Sequence, residues 1–178
     1  EVLVVDSHST DRTEEICMSL GARFVKNTWA GYSGQKNFAN ALAKHDLILS
    51  IDADEALSDE LRESILMVKE KQDHDGYTMN RLTNYCGAWI RHGSWYPDRK
   101  LRLFDRRKGS WQGAIHESIR LEGSTGFLKG DLLHYSYYSV SDHVRQANHF
   151  TDLTAREAFE RGKNAGTLKI LFSPCIKF

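Results

Sequence analysis

What this sequence lacks narrows it first. Its 24 basic side chains are matched by 24 acidic ones, so no net field draws it to a polyanion, and no nucleic-acid partner is expected. It has only three cysteines, Cys17, Cys86 and Cys175, far apart and without C-x-x-C spacing. That pattern gives no sign of a disulfide framework or a thiolate metal site. It fits the reduced thiols of an intracellular, cytoplasmic protein, each expected as a small buried apolar residue. No apolar run reaches the length of a membrane span, and no signal peptide is visible. Internal repeats and low-complexity stretches are also missing. Glu1 leads without an initiating Met into Val2-Leu3-Val4-Val5, and the chain stops at Ile176-Lys177-Phe178 inside an apolar segment. A piece of a longer chain is expected.

What is present suits one soluble globular domain: 178 residues, 40% hydrophobic and 27% charged. The first half alternates strand and helix signals. Val2–Val5 is a β-branched run; Ser9 or Thr10 can cap a helix over Asp11–Leu20, and Gly21 stops it. Arg23–Lys26 is a second strand and Asn27–Gly34 a loop. Gln35–Lys44 reads as a helix with Phe38, Ala39, Ala41 and Leu42 on its buried side. Leu47–Ile51 is a third strand, and Ser58 caps a helix over Asp59–Lys71 whose Leu61, Ile65 and Val68 share a face. Continuous apolar strands between helices predict a parallel sheet covered on both sides, with a site beyond the strands' carboxyl ends. Asp6, Asp52 and Asp54 then fall on one edge.

From residue 75 to 135 the chain is rich in aromatics, glycine and arginine. Short strand-like runs occur at Gly76–Arg81, Lys100–Phe104, Ser118–Leu121 and Asp131–His134, so a partly antiparallel region is expected. A helical pattern returns from Ser141.

The sharpest chemical feature is Asp52-Ala53-Asp54, after an apolar strand. Hard divalent cations take oxygen ligands and keep substrate phosphates in their shell. Alternate residues of an extended segment face one way, so the two acids can converge on Mg2+ or Mn2+. The competing role is a solvated turn capping the next helix. Asp6, at the end of the first strand, is read as a ligand contact, whereas Ser9, Thr10 and Asp11 are read as a capping turn. Gly31-Tyr32-Ser33-Gly34-Gln35-Lys36-Asn37 is a glycine-rich helix start suited to an anion, with Lys36 as a point charge. In Trp111-Gln112-Gly113-Ala114-Ile115-His116-Glu117, Glu117 offers a general base beside His116, and Trp111 a flat surface for a sugar. Spacing alone favours an exposed strand end. A lone His134 is by itself an ordinary core residue. Arg99, Lys100 and Arg102 offer charge to an anionic acceptor, or form a solvated strand.

Taken in order, Val4-Val5-Asp6-Ser7-His8-Ser9-Thr10-Asp11, Gln35-Lys36-Asn37, Asp52-Ala53-Asp54-Glu55, Trp111-x-Gly113-x-x-His116-Glu117 and His134-Tyr135-Ser136-Tyr137 resemble the family 2 glycosyltransferases, nearest to bacterial lipopolysaccharide-core enzymes of the β-1,4-glucosyltransferase type. The resemblance implies an α/β fold of the GT-A kind: a Rossmann-like mixed sheet, incomplete here at its N-terminus, with a C-terminal helical segment. It implies a catalytic domain over 1–138, with a nucleotide-sugar half over 1–75 and an acceptor half over 76–138, followed by 139–178. The implied reaction is inverting, metal-dependent transfer from a nucleotide sugar, a UDP-sugar being favoured, to a glycan or lipid-linked acceptor of the cell envelope. Asp6 and Asp52 resemble the nucleotide-contacting acids, with Lys36 beside them on the donor. Asp54 resembles the metal ligand, with His134 completing it, and Glu117 stands in the place of the base. Trp111, His116, Arg99 and Arg102 are the acceptor-side candidates.

Two other expectations compete. A haloacid-dehalogenase-like phosphatase also ends an apolar strand in D-x-D, with the first Asp as nucleophile, but needs a downstream acidic pair that is not evident. A non-catalytic sugar-binding remnant would stack ligands on Trp89, Trp95 and Trp111. Lys163–Phe178 mixes basic and apolar residues, and is read either as a core helix cut short or as a peripheral contact with the inner face of the cytoplasmic membrane.

Overall fold

Two short strands, Leu3–Asp6 (β1) and Arg23–Lys26 (β2), pair in parallel, with Leu3 opposite Arg23 and Asp6 opposite Lys26. The structure, a computed structural model, describes residues 1–113, 117–163, 166 and 172. The helix joining the two strands, α1 (Thr13–Ser19), begins later than its acidic lead-in suggests. Neither Ser9 nor Thr10 caps it. Asp11 organises the turn instead, its Oδ1 accepting from the Thr13 N–H at 3.0 Å and hydroxyl at 2.5 Å.

The larger sheet is built from Leu47–Leu49 (β3), Glu55–Leu57 (β4), Gly76–Tyr85 (β5), Ala88–Ile90 (β6), Asp98–Asp105 (β7) and Thr125–Tyr137 (β10). Its order is β3-β7-β5-β10-β4, with β6 added to β5. Gly109–Gln112 (β8) and Ser118–Leu121 (β9) pair separately and antiparallel. The expectation of a parallel sheet over the first half is corrected here. β3 runs antiparallel to β7, Leu47 opposite Asp105, and shares no ladder with β1 or β2 among the described residues. An unbroken apolar run reports cover on both faces, not the direction of the neighbouring strand. Parallel pairing in the larger sheet is between β5 and β10.

Helix α3 (Asp59–Glu70) lays Leu61, Ile65 and Val68 against Tyr77, Met79, Leu103, Leu128 and Leu132. Each such buried side chain contributes roughly 1.5–3 kcal/mol. Ser58 caps this helix as expected, its Oγ accepting from Leu61 N–H at 3.3 Å, and it also accepts from Asp131 N–H at 2.9 Å, tying helix to β10. Gly130 makes that approach possible: its φ is +89°, and a Cβ there would sit on the Leu61 backbone.

Helix α2 (Tyr32–Leu42) starts three residues before the expected Gln35. Its buried residues are the polar Gln35 and Asn40, and Ala41 is exposed. Of the apolar side expected for it, Phe38, Ala39 and Leu42 are half-buried, while its two most buried residues are polar. Cys86 is another correction, since it is exposed in a turn at φ 50°, while Cys17 is half-buried. Cys175 lies outside the described residues.

Residues 1–138 form one compact unit, and a second begins at Ser139. In the second, α4 (Val140–Glu160) starts at a Ser139 cap that accepts from Asp142 N–H at 3.1 Å. Among the described residues no helix is long and apolar enough to cross a membrane. Most of Lys163–Phe178 lies outside them.

Candidate active site

The acidic motif is a turn and not an extended segment. Glu55 N–H donates to Asp52 C=O at 3.0 Å, closing residues 52–55. The two aspartates therefore do not converge as alternate strand residues would; each has its own partners. Asp52 Oδ1 is 2.7 Å from Lys36 Nζ and its Oδ2 is 3.0 Å from Arg102 Nη2. Burial pushes the Asp52 carboxyl up, but Arg102 and Lys36 outweigh it, and the group lies below its ordinary 3.8. Asp54 Oδ2 lies 3.2 Å from His134 Nε2. That hydrogen bond holds Asp54 below the usual carboxylate value against burial, and the Asp52 charge also opposes the lowering. His134 is brought there by the ladder that sets it opposite Glu55 on one side and Thr83 on the other. Its Nδ1 is buried and has no hydrogen-bond partner among the described residues.

The first turns of α2 carry the other half of the site. Ser33 Oγ donates to Gly113 C=O at 2.6 Å. Gln35 donates to Ser7 Oγ at 3.0 Å and accepts from Asn27 at 2.8 Å. Lys36 Nζ also reaches Glu117 Oε1 at 2.9 Å. Asn37 grips the Trp111 backbone on both sides, Oδ1 accepting from its N–H and Nδ2 donating to its C=O, each at 2.9 Å. Gly31, at φ 80°, turns the chain into this helix.

Three residues singled out separately in the sequence are thus brought together, Lys36 contacting both Asp52 and Glu117. Others are placed differently. Trp111 is 5% exposed, between Lys36 Nζ at 4.3 Å and the Arg102 guanidinium at 5.3 Å from its ring centre. It is a floor beneath two cations and offers no open face to a sugar. Arg102 is 4% exposed and turned inward, Nη2 donating to Asp52 and, at 2.8 Å, to Glu55 Oε1. Its place follows from a β-bulge: Tyr77 pairs with Leu103 and Thr78 with Leu101, so Arg102 has no opposite residue and is re-aimed. Arg99 is exposed, 5.1 Å from the Phe127 ring centre, and keeps no company with Arg102. Asp6 is buried at its strand end, with Ser9 N–H at 2.7 Å and Ser9 Oγ at 2.5 Å on its two oxygens. The Ser9 hydroxyl is the main cause holding its carboxyl below the ordinary value. His116 lies outside the described residues.

Sequence reasoning missed Glu55 and Arg81. The Glu55 side chain is fully buried; its Oε2 accepts from Asp52 N–H at 2.9 Å, and Arg81 Nη1 lies 3.9 Å from Oε1. Arg81 in turn is hydrogen-bonded to Asp98 at 3.0 Å. Charges alternate from Arg81 through Glu55, Arg102, Asp52 and Lys36 to Glu117. The one available signal was Glu55 following the D-x-D directly. Beside His134 a cleft of about 240 Å³ opens, lined by Arg81, Ser94, Trp95, Asp98 and Tyr137 among others.

Acids thus lie on the turn after a short strand of a mixed α/β sheet, and Lys36 joins one of them, Asp52, to the distant Glu117. Residues 1–121 match the family described as Glycosyl transferase family 2. The chain belongs to this family, and its fold is of the GT-A class. It is similar to an uncharacterized glycosyltransferase of Rickettsia bellii, 35% identical over 96% of this chain and 62% of the relative. A second, from Rickettsia typhi, is 31% identical over 96% of this chain and 63% of its own length. The lipopolysaccharide core biosynthesis glycosyltransferase LpsC of Rhizobium meliloti is 32% identical over 100% of this chain and 69% of its own. The chain thus spans roughly three-fifths of the length of the two Rickettsia relatives. Nothing in these matches supports a phosphatase, whose nucleophile, Asp52, here has a cation on each oxygen.

Proposed function

We propose that the protein of which this chain is part transfers a sugar, with inversion, from a nucleotide-sugar donor to a glycan or lipid-linked acceptor in cell-envelope synthesis of the lipopolysaccharide type. Family membership supports the reaction class, and the name of the Rhizobium relative supports the pathway class. The observation that carries the site assignment is the convergence of Glu117 and Asp52 on Lys36. Lys36, 81 residues from Glu117 in sequence, joins the proposed base to the proposed donor-binding acid.

In this proposal Glu117 takes a proton from an acceptor hydroxyl, which attacks the anomeric carbon as the nucleoside diphosphate leaves from the opposite face. Such a base contributes about 10²- to 10⁴-fold. Asp6 and Asp52 contact the nucleoside. The divalent metal, Mg2+ or Mn2+, is tested by the donor set: a carboxylate oxygen of Asp54 and an imidazole nitrogen of His134, 3.2 Å apart, fit adjacent positions on one cation. Among the described residues no group of three such ligands occurs. A cation held by these two residues would have to take the rest of its shell from substrate phosphate and water. When bound, it would neutralise charge on the leaving diphosphate. The cleft beside His134, with Trp95 on its wall, offers room for a sugar ring.

The test is a donor screen by UDP or GDP release on the full-length protein, with Glu117→Gln as control. Transfer by that variant at the parent rate would remove Glu117 from the mechanism. Manganese-dependent binding of a UDP-sugar, measured by calorimetry and lost in Asp54→Asn, checks the metal assignment.

A further inference from the structure

Among the described residues the ion-pair partners of Lys36 are both carboxylates of the protein itself. Its Nζ lies 2.7 Å from Asp52 Oδ1 and 2.9 Å from Glu117 Oε1, its side chain is 16% exposed, and the Trp111 ring covers it at 4.3 Å. A lysine serving a donor phosphate would present its ammonium to the cleft. We propose that Lys36 is instead a positioning residue, which aims the Glu117 carboxylate by fixing it to the Asp52 turn. The proposal rests on the role of Glu117 as base.

Both ends of this link are anchored. On one side α2 is clamped to the segment that leads to Glu117, through Asn37 on Trp111 and Ser33 on Gly113. On the other, Asp52 is held by Arg102, itself seated on the fully buried Glu55. Among the described residues Glu117 makes no other ion pair than that with Lys36. Without the ammonium, Glu117 would face the like charge of Asp52 across the same gap and turn away from it. The base is thus oriented by the turn on which the donor is proposed to sit, and a displacement of about 1 Å in such a group costs on the order of 10²-fold.

The experiment uses the full-length protein and four variants: Lys36→Met, Lys36→Arg, Glu117→Gln and the Lys36→Met/Glu117→Gln double. UDP release from UDP-glucose gives kcat and KM, and calorimetry with UDP gives Kd. Glu117→Gln is expected to lower kcat at least about 100-fold. Lys36→Met is expected to lower kcat about 30- to 100-fold while the UDP Kd stays within about threefold. Lys36→Arg, which keeps a cation between the acids, is expected within about fivefold of the parent. The double variant should be no slower than Glu117→Gln alone. A raised donor KM with unchanged kcat in Lys36→Met, or losses that multiply in the double, would place Lys36 on the donor and overturn the proposal. Full activity of Glu117→Gln would sink the base assignment itself, a different failure. Independently of turnover, a crystal structure of Lys36→Met should show the Glu117 carboxylate moved by about 1 Å or more; an unmoved carboxylate refutes the positioning role.

Discussion

Arg102→Met breaks a deeply buried ion pair, that of Arg102 with Glu55. The Arg102 side chain is 5% exposed and the Glu55 side chain 0%, with 2.8 Å between their charged atoms. Methionine keeps an unbranched apolar stem and removes the guanidinium, with its contact to the Trp111 ring. Glu55 would then have Arg81 Nη1, 3.9 Å away, as its nearest remaining cation, and Asp52 would lose one of two. Leaving a buried charge without its partner costs about 3–5 kcal/mol. For a chain of this size that corresponds to about 6–20 °C in Tm. Neutralising the other end as well should return most of the loss. In Arg102→Met/Glu55→Gln the amide oxygen can still accept from Asp52 N–H, and the remaining deficit should be about 1–2 kcal/mol. Urea unfolding followed by tryptophan fluorescence measures both variants. A single variant within about 1 kcal/mol of the parent, or a double no more stable than the single, would refute the view that this network is a charge-matched buried unit.

Further consequences are checkable. Gly130→Ala should lower stability by at least about 2 kcal/mol in the same assay, because φ is +89° and the added methyl meets the Leu61 backbone. Asp75 is held at about 2, below its ordinary 3.8, chiefly by the Lys108 side chain and then by Ser124 N–H. Its contribution is therefore fully present above the unfolded value and is lost as pH falls through about 2. Asp75→Asn should flatten the stability profile between those values and leave the neutral region's slope unchanged. His134→Ala should abolish manganese-dependent UDP binding measured by calorimetry, since it removes the imidazole that faces Asp54 at 3.2 Å.

Much of the frame was legible because it is written in local periodicity. The Ser58 cap and the Leu61, Ile65, Val68 face of α3 appear where a 3.6-residue repeat puts them. The acids of 52–54 were found by their place after an apolar strand. What could not be read locally is which charges meet. Arg102 looked like a surface arginine of an alternating strand, and only a bulge opposite Tyr77 and Thr78 turns it inward. Trp111 looked like a stacking platform, because nothing in its neighbourhood announces that Lys36 and Arg102 will cover it. The acidic turn was mistaken for an extended pair because the bond from Glu55 N–H to Asp52 C=O has no sequence signature of its own. Lys36, Asp52 and Glu117 each carried a plausible separate role, and their meeting is a property of the tertiary fold.

The grip of Asn37 on Trp111 has one more consequence. A single amide satisfies both the donor and the acceptor of one backbone residue, which is what a neighbouring strand would do. Asn37 therefore behaves as a strand one residue long, laid along the free side of β8. Open strand edges invite other chains to pair with them, and here the invitation is withdrawn at the residue that leads into the Glu117 segment. Asn37→Asp would keep the acceptor and lose the donor, leaving the Trp111 carbonyl unpaired and that edge half open.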